Sequence, residues 1–236
     1  MAGAGIADER WTEERKKEIL DSRIDSTSLL FESLKNIGNQ VKAVISASAI
    51  GYYGFGEVGE TFDENSKPGS DFLANVTTLW ENEVDKISKL KKRIVKIRVG
   101  VVLSEKGGAL PQMVAPIKLF AGSPVGSGNQ MISWIDLDDL CKIFLLAIED
   151  EKMNGPYNAV APNPVSNETF TKAIGKILNR PIWPIKVPKL LLNIALGEMQ
   201  VIVTGNSEIK NKRIAEETNF VYEFPNLEKS LKKHLE

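Results

Sequence analysis

The sequence predicts an α/β fold in which a parallel sheet is layered with helices and followed by a smaller C-terminal lobe. Helical and strand patterns alternate through the first half, with connections of the length that right-handed crossovers between parallel strands require. The strand runs 41–48 and 93–102 are nearly continuous apolar stretches rather than alternating ones, the pattern of strands covered on both faces. With 236 residues, 42% of them hydrophobic, the chain can bury the core of one large domain or two small ones.

Leu20, Ile24, Thr27, Phe31 and Leu34 recur at spacings of three and four, which places an apolar stripe on a helix from about Trp11 to Ile37. The strand at 41–48 follows. It ends in Ser46 and Ser48 and turns through Gly51 to Gly54, and ligands of open α/β sheets bind beyond such carboxyl ends. After an acidic, glycine-broken loop, Ser70 is expected to cap a second helix whose Phe72, Val76, Leu79, Trp80 and Ile87 share one side. Arg93 to Val102 is the next strand. From 105 to 135, glycines and prolines leave room for one proline-kinked helix and otherwise predict an excursion over a cleft. Ile132 to Ile135 restores a strand, and Asp136 is expected to cap a helix carrying Leu137, Leu140, Cys141, Phe144, Leu145 and Ile148. Asp138 and Asp139 in its first turn suit the helix dipole. A short strand at Tyr157 to Val160 and helices near 168–178, 188–196 and 226–235 complete the chain, dividing it into residues 1–160 and a small C-terminal domain of residues 161–236.

Composition excludes several classes of partner. Thirty basic side chains against 31 acidic ones leave a net charge of -1, with no block of like charge to attract nucleic acid or anionic lipid. The single cysteine, Cys141, cannot form an internal disulfide and sits in an apolar helical pattern, which predicts a buried structural thiol in a reducing compartment. No apolar run is long enough to span a membrane, and the N-terminus lacks the basic flank and apolar core of a signal peptide. A soluble cytoplasmic protein with a small-molecule substrate, and neither nucleic acid nor membrane as partner, is the expectation.

Gly54-Phe-Gly56-Glu-Val-Gly59 has the G-x-G-x-x-G spacing after a strand, but it leads into Glu60, Asp63, Glu64 and Pro68 rather than a helix. Its carboxylates would repel a pyrophosphate, so it reads as a mobile turn beside the cleft. The only histidine, His234, lies three residues from the C-terminus, which disfavours a histidine base or a metal site. Ser46 and Ser48 have no sequence-visible base. They either finish the strand or hydrogen-bond a substrate oxygen.

The segments Gly3-Ala-Gly-Ile, Ser22-Arg23, Ser46-Ala-Ser-Ala-Ile-Gly-Tyr-Tyr-Gly54, Trp80-Glu81, Arg98-Val-Gly-Val-Val-Leu103, Ser133-Trp-Ile-Asp-Leu-Asp-Asp139 and Leu196-Gly-Glu-Met199 occur in an order that resembles the extended short-chain dehydrogenase/reductase superfamily. Within it the chain is similar to the atypical NAD-dependent epimerase/dehydratase-like branch, often labelled sugar-nucleotide epimerase family proteins. The similarity covers essentially the whole chain.

The resemblance implies a Rossmann-type parallel sheet binding NADP, with the C-terminal domain on the side of a substrate that is a nucleotide sugar or another hydroxyl-bearing metabolite. Members of the family open with a strand and a Gly-rich turn, so the chain is expected to be truncated by about 60 residues, roughly two βαβ units, with impaired cofactor binding. That truncation is expected to leave an exposed sheet edge through which the chain forms a homodimer or aggregates. By position, Ala2 and Gly3 would line the cofactor, Arg23 and Glu18 would reach it from the next helix, and Val102 would stand at its nicotinamide side. The superfamily moves protons with a Tyr-x-x-x-Lys pair. Leu73 and Thr77 fall at the corresponding positions and cannot titrate, which leaves Ser48 as hydroxyl donor and Tyr53 or Tyr52 as a phenol. The runner-up reading is a nucleotide-binding or regulatory protein that kept the scaffold and lost turnover.

Overall fold

Helix α1 (Glu13–Asn36) begins where the Thr12 hydroxyl accepts the Arg15 N–H, with Glu13 and Glu14 complementing the dipole of the first turn. It buries Ile19 and Thr27 and leaves Leu29 and Ile37 in solvent. Strand β1 (Ala43–Ala49) follows, then a 3₁₀ turn over Ile50–Tyr53 and the two-residue strand β2 (Thr61–Phe62). Helix α2 (Phe72–Asp85) is capped by Asp71, whose carboxylate accepts the Ala74 N–H at 2.9 Å, and not by Ser70; the carboxylate also takes the Phe55 N–H at 3.2 Å. The computed structural model describes residues 3–236, so Ala2 lies outside the described residues.

The expected strand 93–102 is two strands, β3 (Arg93–Val99) and β4 (Val101–Leu103). Gly100 separates them. A Cβ there would stand 2.7 Å from the Ser133 carbonyl oxygen and 2.8 Å from Val160, so only glycine lets the chain cross between sheets at this point. The excursion holds the expected helix, α3 (Ala109–Lys118), with Pro116 in its last turn. The strand expected at 132–135 also divides, into β5 (Met131–Ile132) and β6 (Trp134–Asp136). Helix α4 (Leu137–Glu149) starts at the Asp136 cap as expected, and strand β7 (Gly155–Ala159) closes the first half.

The C-terminal part adds β8 (Val165–Ser166), α5 (Asn167–Ile177), α6 (Lys189–Leu196), α7 (Gln200–Thr204), β9 (Glu208–Ile209), α8 (Lys212–Glu217) and α9 (Leu227–Leu235). The central sheet runs β1-β3-β7, all parallel, with β4-β6 and β2-β9 as short parallel pairs and β5-β8 antiparallel. β1 is an edge strand of the described sheet, half-buried along most of its length. No described helix is long and apolar enough to cross a membrane.

Helix α4 corrects two expectations. It buries Leu140, Ile143 and Ala147 against β3 and β7, so its inward stripe lies one step round from the expected one. Cys141 is accordingly exposed and is not a buried thiol, and Leu145 and Ile148 share that outer side. A second core joins Leu103, Leu110 and Trp134 to Phe170, Ile174 and Leu231, and so runs across the boundary drawn at residue 160.

Candidate functional site

The parallel register sets Ser48 of β1, Arg98 of β3 and Asn158 of β7 in one row across the sheet. Side chains alternate along a strand, so Ser46 and Lys96 share that face two residues earlier, while Ile97 and Tyr157 point to the opposite, apolar face under α4. The sheet is covered on both sides, as its sequence predicts, but the cover on the α2 side near the carboxyl ends is ionic.

Glu81 descends from α2 onto this row. Its two carboxylate oxygens accept Arg98 Nε at 2.8 Å and Nη2 at 2.9 Å, and its Oε1 also accepts the Ser48 hydroxyl at 2.6 Å. Lys96 approaches the same carboxylate at 3.3 Å and Asp85 at 2.8 Å. The remaining Arg98 nitrogen donates to the Tyr53 oxygen at 2.8 Å, and the Tyr53 hydroxyl in turn donates to Asn158 Oδ1 at 2.8 Å. The guanidinium lies 3.4 Å above the Tyr52 ring centroid. Bidentate pairing of this kind offsets the cost of burying an arginine and a carboxylate together.

Titration follows the geometry. Burial pushes the Glu81 carboxyl up, but Arg98, Ser48 and Lys96 together hold it below the usual carboxylate value. Burial pushes Tyr53 to about 12 against the opposing pull of Arg98 and Asn158. Ser48 and Tyr53, expected as hydroxyl donor and phenol, are therefore brought together around Arg98, yet both are buried and both protons are engaged within the protein. Leu73 and Thr77 pack beside Gly51 at the end of β1; the Thr77 hydroxyl donates to the Leu73 carbonyl at 2.7 Å, and neither side chain titrates.

Glu64 joins the cluster from the acidic loop. Its Oε1 accepts the Asn158 N–H at 3.0 Å and the Arg213 N–H at 3.3 Å, tying β7 to α8, while its buried Oε2 has no partner. Burial raises its pKa. The sequence marks this residue only as a carboxylate hostile to phosphate, because both partners are backbone groups contributed by segments more than ninety residues away.

The turn at the start of the chain is gripped by α1. Arg23 Nη1 donates to the carbonyls of Ala4 at 3.1 Å and Ile19 at 2.8 Å, Ser22 Oγ accepts the Ala4 N–H at 3.0 Å, and Arg15 reaches the Gly5 carbonyl at 2.8 Å. Gly3 takes φ 141°, and a Cβ there would meet the Arg23 side chain at 3.4 Å. Glu18 is exposed and pairs with Arg15 at 2.7 Å, so it touches the turn through that arginine. Val102 is half-buried on β4, directly after the Gly100 crossing. The C-terminal part meets the same region, where Arg10 donates to the Ile194 and Ala195 carbonyls at the end of α6 and Lys16 pairs with Glu198 at 2.6 Å.

Beyond β1, Tyr53, Phe55, Phe62, Lys67 and Asp71 line an open cleft of about 610 Å³. The glycine-spaced turn beside it leads to β2 and not to a helix, so it lacks the N–H array of a phosphate loop. It is pinned by the Gly56 N–H on the Asn206 carbonyl and by Asn206 Nδ2 on the Glu57 carbonyl.

The model of the NAD dependent epimerase/dehydratase family matches residues 1–160. The chain is 40% identical over 224 residues to the epimerase family protein YfhF of Bacillus subtilis, covering 94% of this chain and 73% of that protein. It is 38% identical over 234 residues to a chloroplastic SDR39U1 homologue of Arabidopsis thaliana, covering 98% of this chain and 66% of that one. Among solved structures, human SDR39U1 isoform 2 with NADPH aligns with a TM-score of 0.91 at 31% identity, over 99% of this chain and 79% of the human one. A nucleoside-diphosphate sugar epimerase of Corynebacterium glutamicum aligns with a TM-score of 0.78, also at 31% identity, over 96% of this chain and 44% of its own.

Proposed function

The chain belongs to the NAD dependent epimerase/dehydratase family, and from that premise we propose that it holds NADP against the Gly3–Ile6 turn and acts on a small hydroxyl-bearing molecule such as a nucleotide sugar. The observation that carries this reading is the human relative with NADPH, whose fold follows 99% of this chain at a TM-score of 0.91. The turn fits a nucleotide in one respect, since Gly3 brings bare backbone against Arg23 with no Cβ between them. Gly3, Arg23 and Val102 are the residues that would hold the cofactor, with Glu18 positioning Arg15 behind the turn. When bound, NADP would accept or supply hydride. Impaired affinity belongs to this proposal, because the Ala4 N–H is already spent on Ser22 and one Arg23 nitrogen on two backbone carbonyls.

A second reading, nucleotide binding without turnover, is favoured by one specific feature. The Tyr53 phenol is pushed up to about 12 and donates its hydrogen bond to Asn158, and the positions that would carry a tyrosine and lysine hold Leu73 and Thr77. NADPH fluorescence titration of the chain tests both. Saturable binding, weakened about tenfold or more by Arg23→Ala, is expected, since a charge-assisted hydrogen bond contributes roughly 1.5–3 kcal/mol. No saturation up to millimolar cofactor, or an Arg23→Ala variant that binds like the parent, would sink the proposal. NADPH oxidation on addition of nucleotide sugars then separates the enzyme from the binding protein.

A further inference from the structure

We propose that the face built from residues 118–127 and 180–197 docks on an anionic membrane surface. The two segments are some sixty residues apart in the chain and are zipped together by backbone bonds: Trp183 N–H to the Gly122 carbonyl, Val187 N–H to Pro124, and Gly126 N–H to Val187, each at 2.9 Å. Trp183 Nε1 adds a bond to the Phe120 carbonyl at 2.8 Å. Leu119, Phe120, Trp183 and Ile185 on the zipped segments, and Leu190 and Ile194 on the helix that follows, are all more than half exposed. Helix α6 buries none of its residues; Leu192 and Leu196 are half-covered, and the stripe of Leu190 and Ile194 stands in solvent. Apolar residues massed in this way mark an interaction site rather than ordinary surface. Phe120 takes φ 61°, a left-handed conformation that a bulky side chain rarely adopts.

Charge selects the partner. The sequence from Lys106 to Ile135 contains no carboxylate, and neither does the sequence from Arg180 to Gly197. Together they carry Lys118, Arg180, Lys186 and Lys189, and the first carboxylate after the second segment, Glu198, is paired with Lys16. Lys186 pairs with Glu168 at 3.3 Å, and Arg180 lies 4.5 Å from the Phe120 ring centroid; Lys118, Arg180 and Lys189 have no ion pair among the described residues. Net composition hides this cluster because acidic residues elsewhere balance it, so the sequence offers no sign of attraction to anionic lipid. A second copy docking by two-fold symmetry would set these cations against one another. A bilayer with anionic headgroups neutralises them while accepting Trp, Leu and Ile at the level of the headgroups, and it needs no matching pocket.

Co-sedimentation of the whole chain with vesicles of phosphatidylcholine alone, and with about 30% phosphatidylglycerol added, tests the proposal. Binding to the anionic vesicles at least about tenfold above the neutral ones, reduced by high salt and accompanied by a blue shift of tryptophan emission, is expected. Leu190→Asp with Ile194→Asp, and separately Lys118→Glu with Lys189→Glu, should each cut that binding about tenfold while the melting temperature holds, because all four side chains are exposed. Equal affinity for both vesicle types, no binding to either, or binding untouched by the two double variants would overturn it. So would a dimer in size-exclusion chromatography that the Leu190→Asp/Ile194→Asp variant dissolves while vesicles go unbound, since a second copy would then be the occupant.

Discussion

Arg98 is the residue on which the candidate site turns, because Ser48, Tyr53 and Lys96 all touch it or its partner Glu81. Removing the charge of Glu81 leaves a guanidinium that is 3% exposed without its counter-ion. Glu81→Gln is therefore expected to cost about 3–5 kcal/mol of stability at neutral pH, and Tyr53→Phe, which deletes hydrogen bonds but no charge, about 1–3 kcal/mol. The acid dependence has a definite sign. The Glu81 carboxyl is depressed below its ordinary 4.5, so its contribution is present above that value and is lost as the pH falls through the lower, folded-state value. Urea unfolding across pH should show the gap between parent and Glu81→Gln narrowing in acid; a gap under about 1 kcal/mol at neutral pH, or one that persists unchanged in acid, would refute the account. Ser48, Glu81 and Arg98 are each conspicuous in the sequence as strand-end or motif residues. Their meeting is not legible there, because it depends on the register between strands fifty residues apart, and Glu64 is invisible for the same reason.

Helices and strands were legible where a single apolar stripe or a continuous apolar run decides them, as in α1, α2 and β1. Helix α4 shows where that signal fails. It is apolar on more than one side, so periodicity alone does not say whether Leu140, Ile143 and Ala147 or Cys141, Leu145 and Ile148 face inward, and packing against the sheet buries the first set. Helices α7 and α8 leave no periodic signal in the sequence, because five or six residues do not complete enough turns to show a period. The split at Gly100 is not legible in the sequence, because a close backbone approach leaves no mark beyond the glycine itself. The start of α2 is a sharper case: adjacent Ser70 and Asp71 are both good caps, and only Asp71 also has the Phe55 N–H within reach. Asp71→Ala is accordingly expected to cost about 1–2 kcal/mol, whereas Ser70→Ala, on an exposed side chain, should stay within about 0.5 kcal/mol. Thermal melts of the two variants decide between the caps; a larger loss from Ser70→Ala would reverse the assignment.

At the scale of the molecule, the C-terminal residues close the fold rather than add to it. Asp139 accepts the Glu223 and Phe224 N–H groups at 2.9 Å each, and the fully buried Asp136 accepts Ser230 at 2.6 Å, Lys233 at 2.8 Å and an approach from His234 at 3.0 Å. The first turn of α4, which in sequence suits only a helix dipole, is thus the anchor of α9. Burial pushes the Asp136 carboxyl up, but Lys233, Ser230 and the Asp138 N–H hold it below its usual value. Leu231, also fully buried, packs in the same core as Leu103 and Trp134 from the first half. The sequence suggests a boundary at 160 because glycine and short elements thin out its periodicity, yet the apolar side chains on either side of that point share one interior. A shared interior unfolds as a unit. Leu231→Ala should therefore lower global stability by about 2–5 kcal/mol and shift a single calorimetric transition, with sheet and C-terminal probes moving together. If that variant instead resolves an early transition confined to residues 161–236 while the sheet melts at the parent temperature, the C-terminal part is an independent domain and α9 is a tether between two cores.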